Sequence, residues 1–322
     1  MIALDIISGF LGAGKTTLIN KLLAEAYIGE RPVLIENEFG DVGVDDSLIE
    51  NPEVQVRLLA SGCICCTLIS GFVQGITEVA QKYHPSRIIV EPTGLANPEA
   101  VLTACAEAAK NVPLEVKTLI TVANATNVIP LLAVGGELFH QQLAGAEIIV
   151  LSCTQLLSRQ ELADVKLAIR ELNPHSLILD QDWKELDALS LLSLAEEARA
   201  RKTGKAGPAG VPHHSQAHDD HHGHHHDHEH STDGYVSMAF FPERTFSEKQ
   251  AQALLAALSN GDYGDILRAK GFLCKPGGGF SRVEYVYGRG ELLGITYNGQ
   301  PKFVVIGKAM NEEKLSELME QA

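Results

Sequence analysis

The residues with the clearest chemical signature form a glycine-rich loop near the start of the chain. Positions 9–16 read Gly-Phe-Leu-Gly-Ala-Gly-Lys-Thr, which fits the Walker A pattern in full. In this pattern the glycines let successive backbone N–H groups converge on phosphate oxygens, and the N-terminus of the following helix adds the positive end of its dipole. The loop therefore predicts a binding site for the phosphates of a nucleotide.

Side chains at the end of this loop have the most specific predicted roles. Lys15 would reach the β- and γ-phosphates, and the Thr16 hydroxyl would ligate the Mg²⁺ ion that accompanies the nucleotide. The remaining predicted nucleotide contacts of the loop are Gly9, Gly12, Ala13, Gly14 and Thr17.

A carboxylate at the end of a later strand supports the same chemistry. The apolar run Ile88–Val90 ends in Glu91 and is followed by Pro-Thr-Gly. An acid at this position can hold Mg²⁺ through water or orient the attacking water, so Glu91 joins Lys15 and Thr16 as a predicted catalytic residue. Gly94 would let a backbone N–H approach the γ-phosphate.

Three closely spaced thiols predict a metal site. Cys63, Cys65 and Cys66 form a soft ligand set that suits Zn²⁺ or Cu⁺. In an extended strand Cys66 would point away from the other two, so binding of one ion by all three requires a turn. A fourth ligand could come from Glu38, Asp41 or a histidine. The alternative is a buried or redox-active cysteine cluster.

A histidine-rich tract predicts additional metal affinity. Residues 213–230 hold ten of the 13 histidines, interleaved with acidic residues. Neutral imidazoles bind Zn, Ni, Co and Cu alike, so the tract does not select a metal, and a merely solubilising linker is the alternative. The accessory ligands predicted here are His213, His214, His218, His221, His222, His224, His225, His226, His228 and His230.

The elements that position these residues predict an α/β fold. In the first half, strands alternate with helices, which is typical of a mostly parallel sheet covered on both faces, as in P-loop NTPases. The predicted strands are Ile2–Ser8, Pro32–Glu36, Arg87–Val90, Lys117–Val122 and Glu147–Leu151. The predicted helices are Thr16–Tyr27, Gly71–Tyr83, Ala100–Lys110 and Ser158–Leu172, the last with a capping box formed by Ser158 and Glu161.

A smaller α+β domain is predicted after the histidine tract. Its predicted strands are Tyr235–Phe241, Glu284–Tyr287, Leu292–Tyr297 and Lys302–Ile306, and its predicted helices are Ser247–Leu258 and Asn311–Gln321. The chain is therefore divided into a P-loop domain over 1–198, a flexible histidine-rich linker over 199–233 and a C-terminal domain over 234–322.

Composition excludes several classes of partner. Among 322 residues, 26 Lys and Arg stand against 41 Asp and Glu, and the net charge of −15 argues against nucleic acid or an anionic membrane as a partner. No apolar stretch reaches the ~18 residues of a membrane span, and the N-terminus lacks the basic start of a signal peptide. Six cysteines in a chain of this size do not form a disulfide scaffold, so we expect a cytoplasmic protein.

The motifs and their order along the chain resemble those of CobW-type GTPases. These proteins are relatives of the GTPases that insert nickel into urease and hydrogenase. The Walker A loop, the Cys-x-Cys-Cys motif and Glu91–Gly94 as a Glu-x-x-Gly Walker B motif carry the resemblance. The stretch Asn37–Asp45 resembles the switch segment of that family, with Asn37, Glu38 and Asp41 as its switch residues. Arg268–Phe272 resembles a signature of the CobW C-terminal domain, so the resemblance covers nearly the whole chain.

The resemblance implies a GTP-binding and GTP-hydrolysing metallochaperone or metalloenzyme-maturation factor. Nucleotide state would control the binding and delivery of a transition metal, with Zn²⁺ first and Co²⁺ or Ni²⁺ as alternatives. The implied partners are GTP or GDP, the metal, a client metalloprotein and a second copy of the chain in a homodimer. Two other interpretations stay open, namely an activator of a cobalt or corrinoid enzyme that acts by docking and a non-catalytic metal-buffering protein.

One motif departs from the family pattern. The guanine-reading motif of the family is (Asn/Ser/Thr)-Lys-x-Asp, and here the corresponding positions 152–155 read Ser-Cys-Thr-Gln. Replacing the carboxylate that accepts two hydrogen bonds from guanine costs about 2–3 kcal/mol of binding free energy. Ser152 and Gln155 are the predicted base contacts, and the preference for guanine comes from the resemblance alone.

Overall fold

The computed structural model describes residues 1–39, 55–61, 67–134, 136–204, 235–286, 288–295, 297 and 299–320. Two sheets organise these residues, one of parallel strands in the N-terminal part and one of antiparallel strands in the C-terminal part. This arrangement confirms the predicted α/β class with a smaller α+β domain.

The N-terminal sheet has seven strands, and every described strand pair in it is parallel. Its strands are β1 (Ile2–Gly9), β2 (Pro32–Phe39), β3 (Gln55–Ser61), β4 (Arg87–Glu91), β5 (Leu114–Asn124), β6 (Ile148–Ser152) and β7 (Leu177–Leu179). The strand order is β3-β2-β4-β1-β5-β6-β7, so β1 lies in the middle of the sheet and pairs with β4 and β5.

Helices cover both faces of this sheet, as parallel sheets require. They are α1 (Lys15–Glu25), α2 (Thr67–Tyr83), α3 (Pro98–Ala108), α4 (Val128–Val134), α5 (Gly136–Ala144), α6 (Arg159–Leu172) and α7 (Ala188–Lys202). Leu22 of α1 and Leu191 of α7 belong to the core on one face, and Ile76 of α2 and Cys105 of α3 belong to the core on the other face. The capping box of Ser158 and Glu161 at the start of α6 is confirmed.

Several elements of the first half differ from the sequence predictions. The strands β3 and β7 and the helices α4, α5 and α7 were not predicted, because their apolar residues are too few or too irregularly spaced to give a clear period. Helix α7 continues to Lys202 and so runs into the segment that was assigned to the linker from residue 199. Residues 205–234, which include the histidine tract, lie outside the described residues.

The C-terminal part is an antiparallel sheet with helices on one face. Its strands are β8 (Val236–Phe240), β9 (Asp265–Cys274), β10 (Phe280–Val286), β11 (Arg289–Ile295) and β12 (Lys302–Lys308), in the order β11-β10-β9-β12-β8. Its helices are α8 (Glu248–Ala257) and α9 (Glu312–Glu320), whose apolar side chains Leu254 and Leu315 pack with Ala269 and Leu273 of β9 in one core. Strand β9 was not predicted because charged residues and a glycine interrupt its apolar pattern.

The opposite face of the C-terminal sheet packs against the N-terminal domain. Phe10 and Leu11, which lie in the Walker A loop, share one apolar core with Phe272 of β9. At the rim of this contact Arg289 donates a hydrogen bond of 2.9 Å to the hydroxyl of Thr126. The loop that the sequence assigns to phosphate binding is therefore covered by the second domain.

Among the helices formed by described residues, none combines the length and apolar character needed to cross a membrane.

A buried polar network joins β1, β4 and β5 away from the Walker A loop. The Asp5 carboxylate is fully buried and accepts hydrogen bonds from Tyr27 at 2.8 Å, Thr118 at 2.9 Å and Arg87 at 2.5 Å. Arg87 also donates to Glu30 at 2.8 Å. Burial and the neighbouring Asp5 carboxylate raise the pKa of Tyr27, which keeps its phenol protonated as a donor.

We expect Asp5→Ala to lower the free energy of unfolding by about 3 kcal/mol, because it leaves a partly buried guanidinium and two buried hydroxyls without their shared acceptor. Urea denaturation of full-length protein measures this loss. The control is Glu107→Ala, which removes an exposed pair with Lys110 and should cost about 0.5 kcal/mol or less. Equal effects of the two substitutions would contradict a stabilising role for the network.

Candidate nucleotide site

The candidate site lies at the carboxyl edge of the parallel sheet. Because neighbouring strands run in the same direction, the ends of β1, β2, β4, β5 and β6 meet at this edge, which is where open α/β sheets bind ligands. The Walker A loop leaves the end of β1 at Gly9, and helix α1 begins at Lys15 directly after Gly14. The N-terminus of α1 therefore opens toward the same edge.

Lys15 is held inside the loop by oxygen atoms. Its ammonium group donates hydrogen bonds to the carbonyl oxygens of Gly9 at 3.0 Å and Phe10 at 3.3 Å, and it lies 4.0 Å from a carboxylate oxygen of Glu91. Only 6 % of the residue is exposed. A buried cation that is satisfied mainly by neutral carbonyl groups is suited to receive the negative charge of a phosphate.

Thr16 and Glu91 are brought together across the sheet edge. The Thr16 hydroxyl donates to both carboxylate oxygens of Glu91, at 3.3 Å and 3.2 Å. A hydroxyl and a carboxylate in contact offer the oxygen ligands that Mg²⁺ prefers. The structure thus gathers Lys15, Thr16 and Glu91, the three predicted catalytic residues, at one point.

Close backbone packing explains two of the predicted glycines. A Cβ atom on Gly94 would lie 2.6 Å from the backbone nitrogen of Leu11, so the loop after β4 can touch the Walker A loop only as glycine. Gly12 has a φ of +68°, and a Cβ atom there would lie 2.6 Å from a methyl carbon of Val286 in the C-terminal domain.

The loop after β6 also contacts the Walker A loop. The buried Ser152 hydroxyl donates to the carbonyl oxygen of Ala13 at 2.7 Å. Cys153 adopts the left-handed conformation with a φ of +59°, and a short 3₁₀ turn over residues 154–156 follows. Gln155 lies in this turn and is exposed, as is Thr17 in the first turn of α1.

Trp183 is a site residue that the sequence analysis missed. Its indole N–H donates to the carbonyl oxygen of Leu151 at 2.8 Å, and its ring lies 3.2 Å from the position of a Cβ atom on Gly14. The ring therefore packs beside the start of α1 and the end of β6. Trp183 is the only tryptophan of the chain, which is the one signal the sequence offered.

Glu36 is a second residue that the sequence analysis missed. It lies in β2 directly opposite Glu91 of β4, and only 2 % of it is exposed. The signal that identified Glu91, an acid directly after an apolar strand, is present in Val33–Ile35 followed by Glu36 and could have identified it as well.

The other predicted site residues lie at the end of a described segment or outside the described residues. Asn37 and Glu38 are two of the three predicted switch residues, and their backbones continue strand β2. Asp41, the three clustered cysteines and the ten histidines of the tract lie outside the described residues. Within the described ranges, no group of three or more His, Cys, Asp or Glu side chains is arranged to hold a metal.

Charged groups of both signs act on Lys15. Burial lowers the pKa of Lys15 to about 8, the carboxylate of Glu91 opposes this shift, and the positive charge of Arg268 adds to it. Arg268, which lies on β9 of the C-terminal domain, is thus a second cation whose charge acts on Lys15.

Family models match both parts of the chain. Residues 3–180 match the model described as CobW/HypB/UreG, nucleotide-binding domain, and residues 235–322 match the model described as cobalamin synthesis protein cobW C-terminal domain.

Curated relatives match over different lengths. A zinc chaperone CobW of Pseudomonas aeruginosa is 33 % identical over 309 residues, which cover 84 % of this chain and 76 % of the relative. A zinc chaperone CobW of a Sinorhizobium species is 34 % identical over 50 % of this chain and 53 % of the relative. The match to zinc chaperone YeiR of Escherichia coli is 31 % identical and spans 45 % of this chain and 44 % of that protein. The chain thus spans about half the length of two of these relatives.

Two solved structures are similar at lower identity. Zn(II)-bound YjiA GTPase from E. coli is 16 % identical with a TM-score of 0.41, and the match covers 98 % of this chain and 97 % of that one. The hydrogenase maturation factor HypB of Archaeoglobus fulgidus is 15 % identical with a TM-score of 0.42 over 60 % of this chain and 87 % of that one.

The low pKa of Lys15 predicts a pH dependence of phosphate binding. Above pH ~8 the free protein loses the Lys15 proton that the phosphate requires, so affinity should fall toward tenfold per pH unit. We would measure binding of inorganic triphosphate, which carries no nucleobase, with EDTA present between pH 7 and 9.5, and correct the affinities for the ionisation of the triphosphate itself. Constant affinity over this range would contradict the prediction.

Two lysine variants complete this measurement. Lys15→Ala should abolish binding at every pH while the melting temperature stays within a few degrees, because the charge contributes to the ligand site and not to a core contact. Lys21→Ala on the same helix removes only a pair with Glu25 and should keep both the affinity and the pH profile. Normal triphosphate affinity in Lys15→Ala would refute the Walker A assignment.

Proposed function

Because the chain belongs to the CobW/HypB/UreG family, we propose that it hydrolyses GTP and couples its nucleotide state to the binding and delivery of zinc to a client metalloprotein. The convergence of Lys15, Thr16 and Glu91 at the carboxyl edge of the sheet carries the nucleotide part of the proposal. The predicted thiol cluster, together with the zinc chaperones among the relatives, supports the metal part.

The predicted catalytic and nucleotide-binding residues have proposed tasks in hydrolysis. Lys15 neutralises the β- and γ-phosphates, and backbone N–H groups of the Walker A loop and of Gly94 bind their oxygens. Thr16 and Glu91 would hold Mg²⁺, which supplies charge neutralisation on the phosphates when it is bound. Glu91 also orients the attacking water. Ser152 and Gln155 are assigned to base contact from their position in the motif, and the hydrogen bond of Ser152 to the Ala13 carbonyl oxygen holds the end of β6 beside the Walker A loop.

The described elements support a metal site next to the nucleotide. Strand β3 ends at Ser61 and helix α2 begins at Thr67, so they bracket the cysteines Cys63, Cys65 and Cys66. Strand β3 pairs in parallel with β2 and therefore ends at the same edge as the Walker A loop. We propose that these thiols bind the transported zinc, with Glu36 on the neighbouring strand as a candidate oxygen ligand.

This placement suggests how the two ligands are coupled. Asn37 and Glu38 of the proposed switch follow directly on Glu36 at the end of β2, and Asp41 comes later in the sequence between β2 and β3. A γ-phosphate that draws in this segment acts on a chain that leads into β3 and the thiols, so one bistable element responds to both ligands. We place this activity in the cytoplasm, where thiols stay reduced.

The transported metal, the oligomeric state and the domain boundaries are also part of the proposal. We propose Zn²⁺ as the cargo and keep Co²⁺ and Ni²⁺ as alternatives, since thiolates and imidazoles bind all three. We also propose a homodimer and a division into domains over 1–198 and 234–322, with helix α7 extending past the first boundary to Lys202. The ten tract histidines are proposed as accessory ligands that raise the local metal concentration.

The test is a zinc titration of protein lacking residues 213–230, so that the tract does not mask the thiols. We expect affinities with a non-hydrolysable GTP analogue and with GDP to differ at least tenfold, about 1.4 kcal/mol of coupling. Cys66→Ala should weaken zinc binding in both states. The matched control is Cys274→Ala, a single half-buried cysteine at the end of β9, which should change neither affinity.

Equal zinc affinities in the two nucleotide states would contradict coupling and favour a buffering protein. Unchanged affinity in Cys66→Ala would move the metal site away from the thiols. An activator that works by docking is distinguished by client binding that depends on nucleotide but not on zinc.

A further inference from the structure

Arg268 lies on the face of the C-terminal sheet that is turned toward the nucleotide domain. In β9, Ala269 and Leu273 belong to the core beneath α8 and α9, whereas Phe272 belongs to the core shared with Phe10 of the Walker A loop. Because successive residues of a strand point to opposite faces, Arg268 shares the face of Phe272. On the neighbouring strand it pairs with Ile306, which belongs to the same shared core.

The register of the next strand places Arg268 close to the Walker A loop. Arg268 lies directly opposite Val286 in the pairing of β9 with β10. Val286 touches the loop at Gly12, where an added Cβ atom would come within 2.6 Å of its methyl group. Directly opposite residues in an antiparallel pair have Cβ atoms about 5 Å apart. The Cβ atom of Arg268 therefore lies about 5 Å from that of Val286, the side chain that touches the loop.

Arg268 has no ion-pair partner among the side chains that the structure describes. Its guanidinium is half-buried and makes no hydrogen bond or ion pair with any residue that the structure describes. By contrast, Arg282 of β10 is paired with Glu284, and Arg289 donates to Thr126. The positive charge of Arg268 instead acts on Lys15 and helps to lower its pKa.

Arg268 and Lys15 carry like charges that repel each other, and the Glu91 carboxylate 4.0 Å from Lys15 offsets only part of the combined effect of burial and this repulsion on Lys15. A ligand with several negative oxygens removes this cost and gains charge-assisted hydrogen bonds from the planar guanidinium. The phosphate chain of a nucleotide bound by the Walker A loop is such a ligand.

We propose that Arg268 is a phosphate-binding residue of the nucleotide site, supplied in cis by the C-terminal domain, and that it contacts the terminal phosphate of a bound nucleoside triphosphate. The C-terminal domain is then part of the hydrolytic site, and loss of the terminal phosphate removes one of the contacts between the two domains. This inference rests on the proposed binding and hydrolysis of a nucleotide, and not on metal delivery.

The test uses the full chain with Mg²⁺ and without added zinc. We would measure the affinities for a non-hydrolysable GTP analogue and for GDP, together with kcat and KM for GTP. For Arg268→Ala we expect at least a tenfold loss of analogue affinity, less than a threefold loss of GDP affinity and about a hundredfold lower kcat. Arg268→Lys should recover only part of the analogue affinity, because it keeps the charge but lacks the planar guanidinium.

The matched control is Arg282→Ala, which removes the same charge from the same face of the sheet but from an arginine that already has a carboxylate partner. It should leave both affinities and kcat within twofold of the parent. Arg268→Gln, which keeps most of the side-chain volume, serves if the alanine variant melts at a markedly lower temperature.

Unchanged analogue affinity and kcat in Arg268→Ala and Arg268→Gln would overturn the proposal. Equal losses for Arg268→Ala and Arg282→Ala would also overturn it, since they would report a general effect of charge. Equal losses of analogue and GDP affinity would place Arg268 away from the terminal phosphate. Absence of GTP hydrolysis in the parent protein would contradict the proposed function instead, because analogue binding would still test Arg268.

Discussion

Burial of one ammonium group, that of Lys15, sets the requirements for the rest of the nucleotide site. A lysine that is 6 % exposed must be compensated, and here the carbonyl oxygens of Gly9 and Phe10 and the more distant carboxylate of Glu91 do so. These partners come from the end of β1 and the end of β4. The order of strands in the sheet, with β4 directly beside β1, is therefore what allows the lysine to stay charged in a buried position.

The same loop is confined from several directions. Gly94 presses on it from the end of β4, Ser152 bonds to it from the end of β6, and Val286 touches it from the C-terminal sheet. A loop held on these sides needs little rearrangement to present its N–H groups to a phosphate, so little conformational entropy is lost on binding. Because residues of both domains contact the loop, a movement of either domain would change the contacts of the phosphate-binding loop.

Local patterns predicted the central part of this arrangement. The acid that ends the strand Arg87–Glu91, the loop at residues 9–16 and the cap at Ser158 are each encoded within a few neighbouring residues, and the structure reproduces those elements. Strand β9 escaped prediction because Arg268 and Lys270 break its apolar run. Trp183 and Val286 escaped because their contacts with the loop join residues more than 150 positions apart, and no spacing rule describes such contacts.

The C-terminal sheet is covered by different elements on its two faces. One face is closed by α8 and α9 and the other by the nucleotide domain. A sheet buried on both faces by apolar contact should resist independent motion, yet the face toward the loop also carries charged residues on β9 and β10. Buried charges of this kind are sensitive to a newly arriving anion, whereas apolar contacts are not. The domain contact therefore combines apolar packing with charged residues on the face toward the Walker A loop, and the charge of Arg268 acts across it on Lys15.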